Sequence, residues 1–121
     1  MKKVGLSVLV VCILLVASFA YADPIAGKWA SMSPCINDLQ VSNNHTFYLW
    51  QGCCEDGCCD VNEFSGTWQR ISNGVYILTA GNSSSLLMLR GTTAVGEYGL
   101  TMLKNMSIDS LKPLIYQSVC Y

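Results

Sequence analysis

The stretch LWQGCCEDGCCDVNEFSGTW, residues 49–68, sets two adjacent cysteine pairs around an acidic Glu55-Asp56-Gly57 tip. Three chemistries could use sulfur placed in this way. Thiolates could grip zinc or cuprous copper, soft ions that sulfur selects, with Met32, Met88, Met102 and Met106 able to add thioethers. A redox centre of the thioredoxin kind needs Cys-x-x-Cys beside a βαβ pattern, whereas the closest spacing across this tip is Cys54-x3-Cys58 and no βαβ pattern is visible. Disulfides, finally, could staple a hairpin to its surroundings.

The compartment decides between them. Residues 1–22, MKKVGLSVLVVCILLVASFAYA, have two lysines, an uncharged apolar run and a small-x-small ending at Ala20-Tyr21-Ala22. That is the pattern of a secretory signal peptide, with no membrane span expected after its removal. Cys12 goes with the leader, and six cysteines remain: Cys35, Cys53, Cys54, Cys58, Cys59 and Cys120. An even number in a small exported domain predicts disulfides, because exported thiols are oxidised before metal competes for them. The expected location is secreted or periplasmic, with no cofactor and no metal.

Six cysteines allow fifteen pairings, among which sequence alone does not choose. A three-residue Glu55-Asp56-Gly57 loop would set Cys54 opposite Cys58 and Cys53 opposite Cys59, leaving Cys35 to pair with Cys120.

Other reactive groups are sparse. His45 is the only histidine and stands after two asparagines at the start of a strand-like run, with no partner motif for catalysis. Glu55, Asp56, Asp60 and Glu63 cluster around the tip but lack the alternating oxygen spacing of an EF-hand loop, so a solvated tip is expected there. No catalytic residue is predicted and an enzyme is not expected.

The elements that must position these residues read as strands. Residues 23–121 make one domain of 99 residues with a modest core. Without Lys2 and Lys3, five basic residues face eight acids, a net charge of −3. Lys28, Arg70, Arg90, Lys104 and Lys112 are scattered, which argues against a nucleic-acid partner. Leu39-Gln40-Val41, HTFYLWQG, FSGTWQRI, VYILTA, LLMLRG and LTMLKN are rich in β-branched, aromatic and other apolar types, and are separated by Gly, Asn and Ser clusters. Asn73-Gly74 is a strong hairpin signal. Helix is poorly supported, since in MSIDSLKPLIYQ the spacing is mixed and Pro113 interrupts it. The expected fold is all-β: a small antiparallel up-and-down meander forming a barrel or half-barrel, disulfide-stapled.

Gly27-Lys28-Trp29 and Gly66-Thr67-Trp68 repeat one pattern, in which glycine lets the chain bend and an indole can plug a barrel end. Trp29, Phe47, Leu49, Phe64 and Trp68 are the expected barrel core and possible ligand contacts. With GKW, LQVSNNHTFYLW and FSGTWQRISNGVYILTAGN, residues 27–104 resemble the small calycin-like barrels of bacterial envelopes. They are most similar to the amino-terminal domain of the NlpE-type copper-resistance and envelope-stress lipoproteins. That group has a Pro-Cys-x-x-Cys near its first strand. This chain keeps Pro34-Cys35 but has Asp38 where the second cysteine would fall, and Asp23 where a lipid-bearing cysteine would follow the leader. The resemblance therefore implies the lipocalin-like barrel, without the metal or redox activity.

Asn44, Asn82 and Asn105 each begin an Asn-x-Ser/Thr sequon at a predicted turn. The leading functional expectation is an exported, non-catalytic binding or interaction domain for a small apolar ligand or a protein partner. A metal-handling protein using the Cys53–Cys59 hairpin, or a secreted enzyme inhibitor presenting that hairpin, would be the alternatives.

Overall fold

A computed structural model describes residues 23–120; the expected signal peptide, 1–22, lies outside them. Eight strands follow one another as β1 (Gly27–Ser31), β2 (Ile36–Val41), β3 (Thr46–Glu55), β4 (Cys58–Ser72), β5 (Val75–Ala80), β6 (Ser83–Arg90), β7 (Thr93–Val95) and β8 (Thr101–Lys104). Each pairs antiparallel with the next, and β1 pairs with β8 through Trp29↔Lys104 and Ala30↔Leu103, so the meander closes into a barrel. The all-β reading holds, and the choice between barrel and half-barrel falls to the closed form. Closure matters energetically because it leaves each strand's backbone donors and acceptors a partner over most of its length.

Two elements differ from the sequence reading. β7 went unread because three residues between turns show no measurable alternation. A short helix, α1 (Lys112–Gln117), forms in the segment that Pro113 is expected to interrupt. Pro113 sits in the first turn of that helix, where its missing N–H has no intrahelical partner to lose and its fixed φ suits the start.

Alternation sends Leu39, Leu49 and Phe64, which are register partners across β2, β3 and β4, to the inside. The interior core gathers Ile25, Trp29, Leu39, Val41, Phe47, Trp68, Tyr76, Leu87, Ala94 and Met102. One end is plugged. There the Trp29 indole N–H donates to Ile25 O at 2.8 Å, and that of Trp68 donates to Ser42 O at 2.8 Å. The Tyr76 hydroxyl donates to Asp23 Oδ1, and Asp23 also lies 3.8 Å from the Arg70 guanidinium. Every polar tip on these large rings thus has a partner, which removes the cost of burying them.

Gly66 makes the Trp68 placement possible. A Cβ there would lie 1.9 Å from the Thr79 carbonyl oxygen, so only glycine allows β5 to cross this close to β4.

A second, smaller core lies outside the barrel. Ile108 and Ile115 from the C-terminal segment pack on Ala30, Trp50 and Cys59 of β1, β3 and β4. Lys112 crosses the same wall, donating to the buried Asp38 carboxylate at 2.7 Å with its ammonium 5.1 Å from the Trp50 ring centroid. Burial works against the Lys112 charge, but the Asp38 hydrogen bond and the charges of Asp38 and Asp109 outweigh it and raise the lysine's pKa. Trp50 in turn donates from its indole to Tyr116 Oη at 2.9 Å.

The six cysteines form three disulfides, Cys35–Cys53, Cys54–Cys59 and Cys58–Cys120. Stapling is as expected, but all three predicted pairings are overturned, and a single register error explains it. The turn is Asp56-Gly57, two residues long, with φ of 53° and 80°. Positive φ at both central positions is the type I′ hairpin turn that matches strand twist. Glu55 therefore faces Cys58 and Cys54 faces Cys59, while Cys53 faces Asp60. Cys53 is left to bridge from β3 to Cys35 on the β1–β2 loop, and Cys58 is left for the C-terminal Cys120.

Candidate functional site

Strand direction defines the two barrel ends. β1, β3, β5 and β7 run towards the end formed by residues 32–35, 56–57, 81–82 and 96–100, and this end is open. A cavity of about 360 Å³ enters it, lined from β2 and β3 round through β4, β5 and β6 to residues 96–100. Phe47, Leu39, Leu87 and Met102 line its depth, and Leu49, Leu78 and Leu100 line its middle. Phe64, 42% exposed, lines the opening from β4, and Tyr98, 97% exposed, lines it from the 3-10 turn Glu97–Gly99.

Polar groups collect near the mouth, two residues along from the apolar positions of the same strands. Asn37 precedes Leu39 on β2 and Gln51 follows Leu49 on β3, and the two are register partners. Asn37 is 1% exposed and fully committed. Its amide nitrogen donates to Ser31 Oγ and to Cys35 O, both at 3.0 Å, and its Oδ1 accepts from Gln51 Nε2 at 3.0 Å. The Cys35–Cys53 disulfide anchors the loop that supplies one of these acceptors. Gln51, which lines the cavity, is thereby held with its nitrogen towards Asn37, and that bond leaves its carbonyl oxygen and second N–H uncommitted. Across the opening, Ser83 and Ser85 of β6 line the opposite wall.

Of the five expected core and contact residues, Phe47, Leu49 and Phe64 line this cavity. Trp29 and Trp68 do not; both are buried in the plug at the other end, where their ring nitrogens are satisfied by backbone carbonyls. The sequence reading missed Asn37, Gln51, Ser83 and Ser85. Extending the alternation two residues beyond Leu39 and Leu49 would have put both amides inside.

The other reactive groups lie elsewhere. His45 adopts φ 68° in the β2–β3 turn at the plugged end, stacks on Trp68 at 4.3 Å between centroids, and donates from Nδ1 to Trp68 O at 3.2 Å. Glu55, Asp56, Asp60 and Glu63 are exposed along the hairpin, and Glu63 accepts a hydrogen bond from Tyr48 on the outer wall. That bond, with burial and the negative charge of Glu63, pushes the Tyr48 phenol up to about 12. Among the described residues no group of three or more His, Cys, Asp and Glu side chains is arranged to hold a metal ion. No helix among them is long and apolar enough to cross a membrane. Asn44, Asn82 and Asn105 are all exposed and all in turns.

Comparison of the chain with protein-family models, with curated proteins and with solved structures gives no match.

Proposed function

We propose that this is an exported, non-catalytic binding domain that holds a small apolar ligand in the open end of its barrel. The observation that carries the reading is the cavity of about 360 Å³ with Phe47, Leu49, Leu78 and Leu100 in its walls. Concave, mostly apolar sites of about 300–1,000 Å³ with a few placed polar groups are what small-molecule sites look like. Three disulfides support a secreted or periplasmic location, where such bonds form and persist. Kinship with the NlpE-type barrels belongs to the same proposal, supported by both Gly-x-Trp motifs lying on barrel strands, Trp29 on β1 and Trp68 on β4. The non-catalytic reading draws on His45, which is committed to a turn far from the cavity.

The test uses the oxidised protein and N-phenyl-1-naphthylamine, a neutral probe that fluoresces when it leaves water. Wild type should enhance its emission saturably, and Leu49→Trp, which sets an indole across the middle of the cavity, should weaken the enhancement at least about tenfold while the thermal unfolding transition persists. No enhancement with wild type, or equal enhancement with Leu49→Trp, would remove the reading.

A second reading, a secreted enzyme inhibitor, has one observation in its favour. Residues 53–60 extend past the last β2–β3 pair, Ile36↔Gly52, as a two-stranded finger on which all three disulfides converge. A pre-ordered loop of this kind loses little entropy on docking.

A further inference from the structure

Resting on the cavity reading above, we propose that the ligand is a single-chain amphiphile with an uncharged, hydrogen-bonding head such as a primary amide or an alcohol. Its tail would lie along Leu49 towards Phe47 and its head would meet Gln51.

The layering of the cavity carries this. Along β3 the inward residues run Phe47, Leu49, Gln51 from depth to mouth, so the site is apolar below and polar above. A cavity of about 360 Å³ lies near the small end of the range for ligand sites, which suits one alkyl chain better than two.

Charge narrows the head group. No lysine, arginine or histidine lines the cavity, and its only charged lining residue is Glu97, exposed on the rim. A carboxylate or phosphate drawn to the collar would lose water without gaining a counter-ion, a costly exchange at a partly dehydrated site. An ammonium would find only Glu97, outside the collar and surrounded by solvent. A neutral head meets no such penalty.

Fixed geometry then favours hydrogen bonding over a plain hydrocarbon. Asn37 has both amide hydrogens and its oxygen committed, and it orients Gln51 from behind. Gln51 therefore keeps one acceptor and one donor uncommitted, the two kinds of group that a primary amide complements, and Ser85 offers a hydroxyl from the facing wall. Polar groups placed to bond a ligand discriminate against one that leaves them unpaired.

The experiment displaces N-phenyl-1-naphthylamine from the oxidised protein at neutral pH with octanamide, octanol, octanoate and octylamine, which share one chain length. Octanamide and octanol should displace the probe at concentrations about tenfold lower than octanoate or octylamine, whose charged heads lose water at the collar without gaining a counter-ion. Gln51→Met, which keeps the length and removes both polar atoms, should weaken octanamide about tenfold relative to the probe itself. Octanoate or octylamine matching octanamide on wild type would overturn the proposal, whatever Gln51→Met does to folding. So would a well-folded Gln51→Met that binds octanamide unchanged. Probe binding without any head-group preference sinks this inference alone, whereas absence of probe binding sinks the cavity reading with it.

Discussion

At the plugged end the inward positions of β1, β4 and β5 carry Trp29, Trp68 and Tyr76, whereas nearer the mouth the same strands carry Ser31, Phe64 and Ala80. On β6 the change is from Leu87 to Ser85 and Ser83. Both sets of positions sit on paired strands of the same closed barrel, so side-chain volume decides which end is full. The polar atoms differ in the same sense. Both plug indoles bond to backbone carbonyls, and the Tyr76 hydroxyl bonds to Asp23. At the mouth only Asn37 is saturated, and it holds Gln51 with bonding capacity to spare. One end is packed for stability, and the other is left open, as the proposed ligand site requires.

Truncations should separate the two ends most sharply. Trp68→Ala removes a ring that is 2% exposed, and it should cost about 5 kcal/mol in chemical denaturation. Leu78→Ala should cost only about 2 kcal/mol, because the space it opens merges with the existing cavity and does not create a sealed void. Equal losses at the two sites would erase the distinction. The disulfides give the next largest effect. Cys58–Cys120 closes a loop of 62 residues and Cys54–Cys59 one of 5. By loop-closure entropy, replacing the first pair with serines should cost about 4 kcal/mol and the second about 2 kcal/mol. Neither replacement reaches the cavity wall, so probe binding should survive both.

The smallest effect concerns the outer wall at high pH. Tyr48 ionises at about 12 in the folded protein against 10.0 without its Glu63 hydrogen bond and surroundings. A raised folded-state pKa means that its stabilising contribution is complete below about pH 10 and fades as pH climbs through about 12. Ultraviolet titration should show a tyrosinate step near 12 that moves towards 10 in Glu63→Gln. A step that stays in place would assign the shift to another cause.

How much of this was legible in the sequence depends on the length over which a pattern repeats. β3, β4 and β5 are legible through β-branched and aromatic runs, and β6 through its Leu-Leu-Met-Leu run, with Asp56-Gly57, Asn73-Gly74 and Gly81-Asn82 as bounds. The repeated Gly-x-Trp located two plug residues, because an indole behind a glycine has few places to go in a barrel. Disulfide pairing failed for a reason of scale: lengthening the Asp56-Gly57 turn by one residue reassigns every partner, and β register turns over completely on such a step. The helix failed because Pro113 breaks a helix interior but suits its first turn, and sequence does not say where a six-residue helix begins. The polar collar was missed because Asn37 and Gln51 look like ordinary strand-end residues until their strands are paired.

Seven of the eight strand pairings join neighbours along the chain, and the eighth joins the first strand to the last. Local hairpins form quickly, while a contact spanning the whole domain must wait for the chain that completes it. A polypeptide made from its amino terminus onward therefore has most of its sheet before Thr101–Lys104 arrives, and until then its apolar lining faces water as an open trough. The interval between these events is when the molecule is most exposed to aggregation, and the final strand ends it.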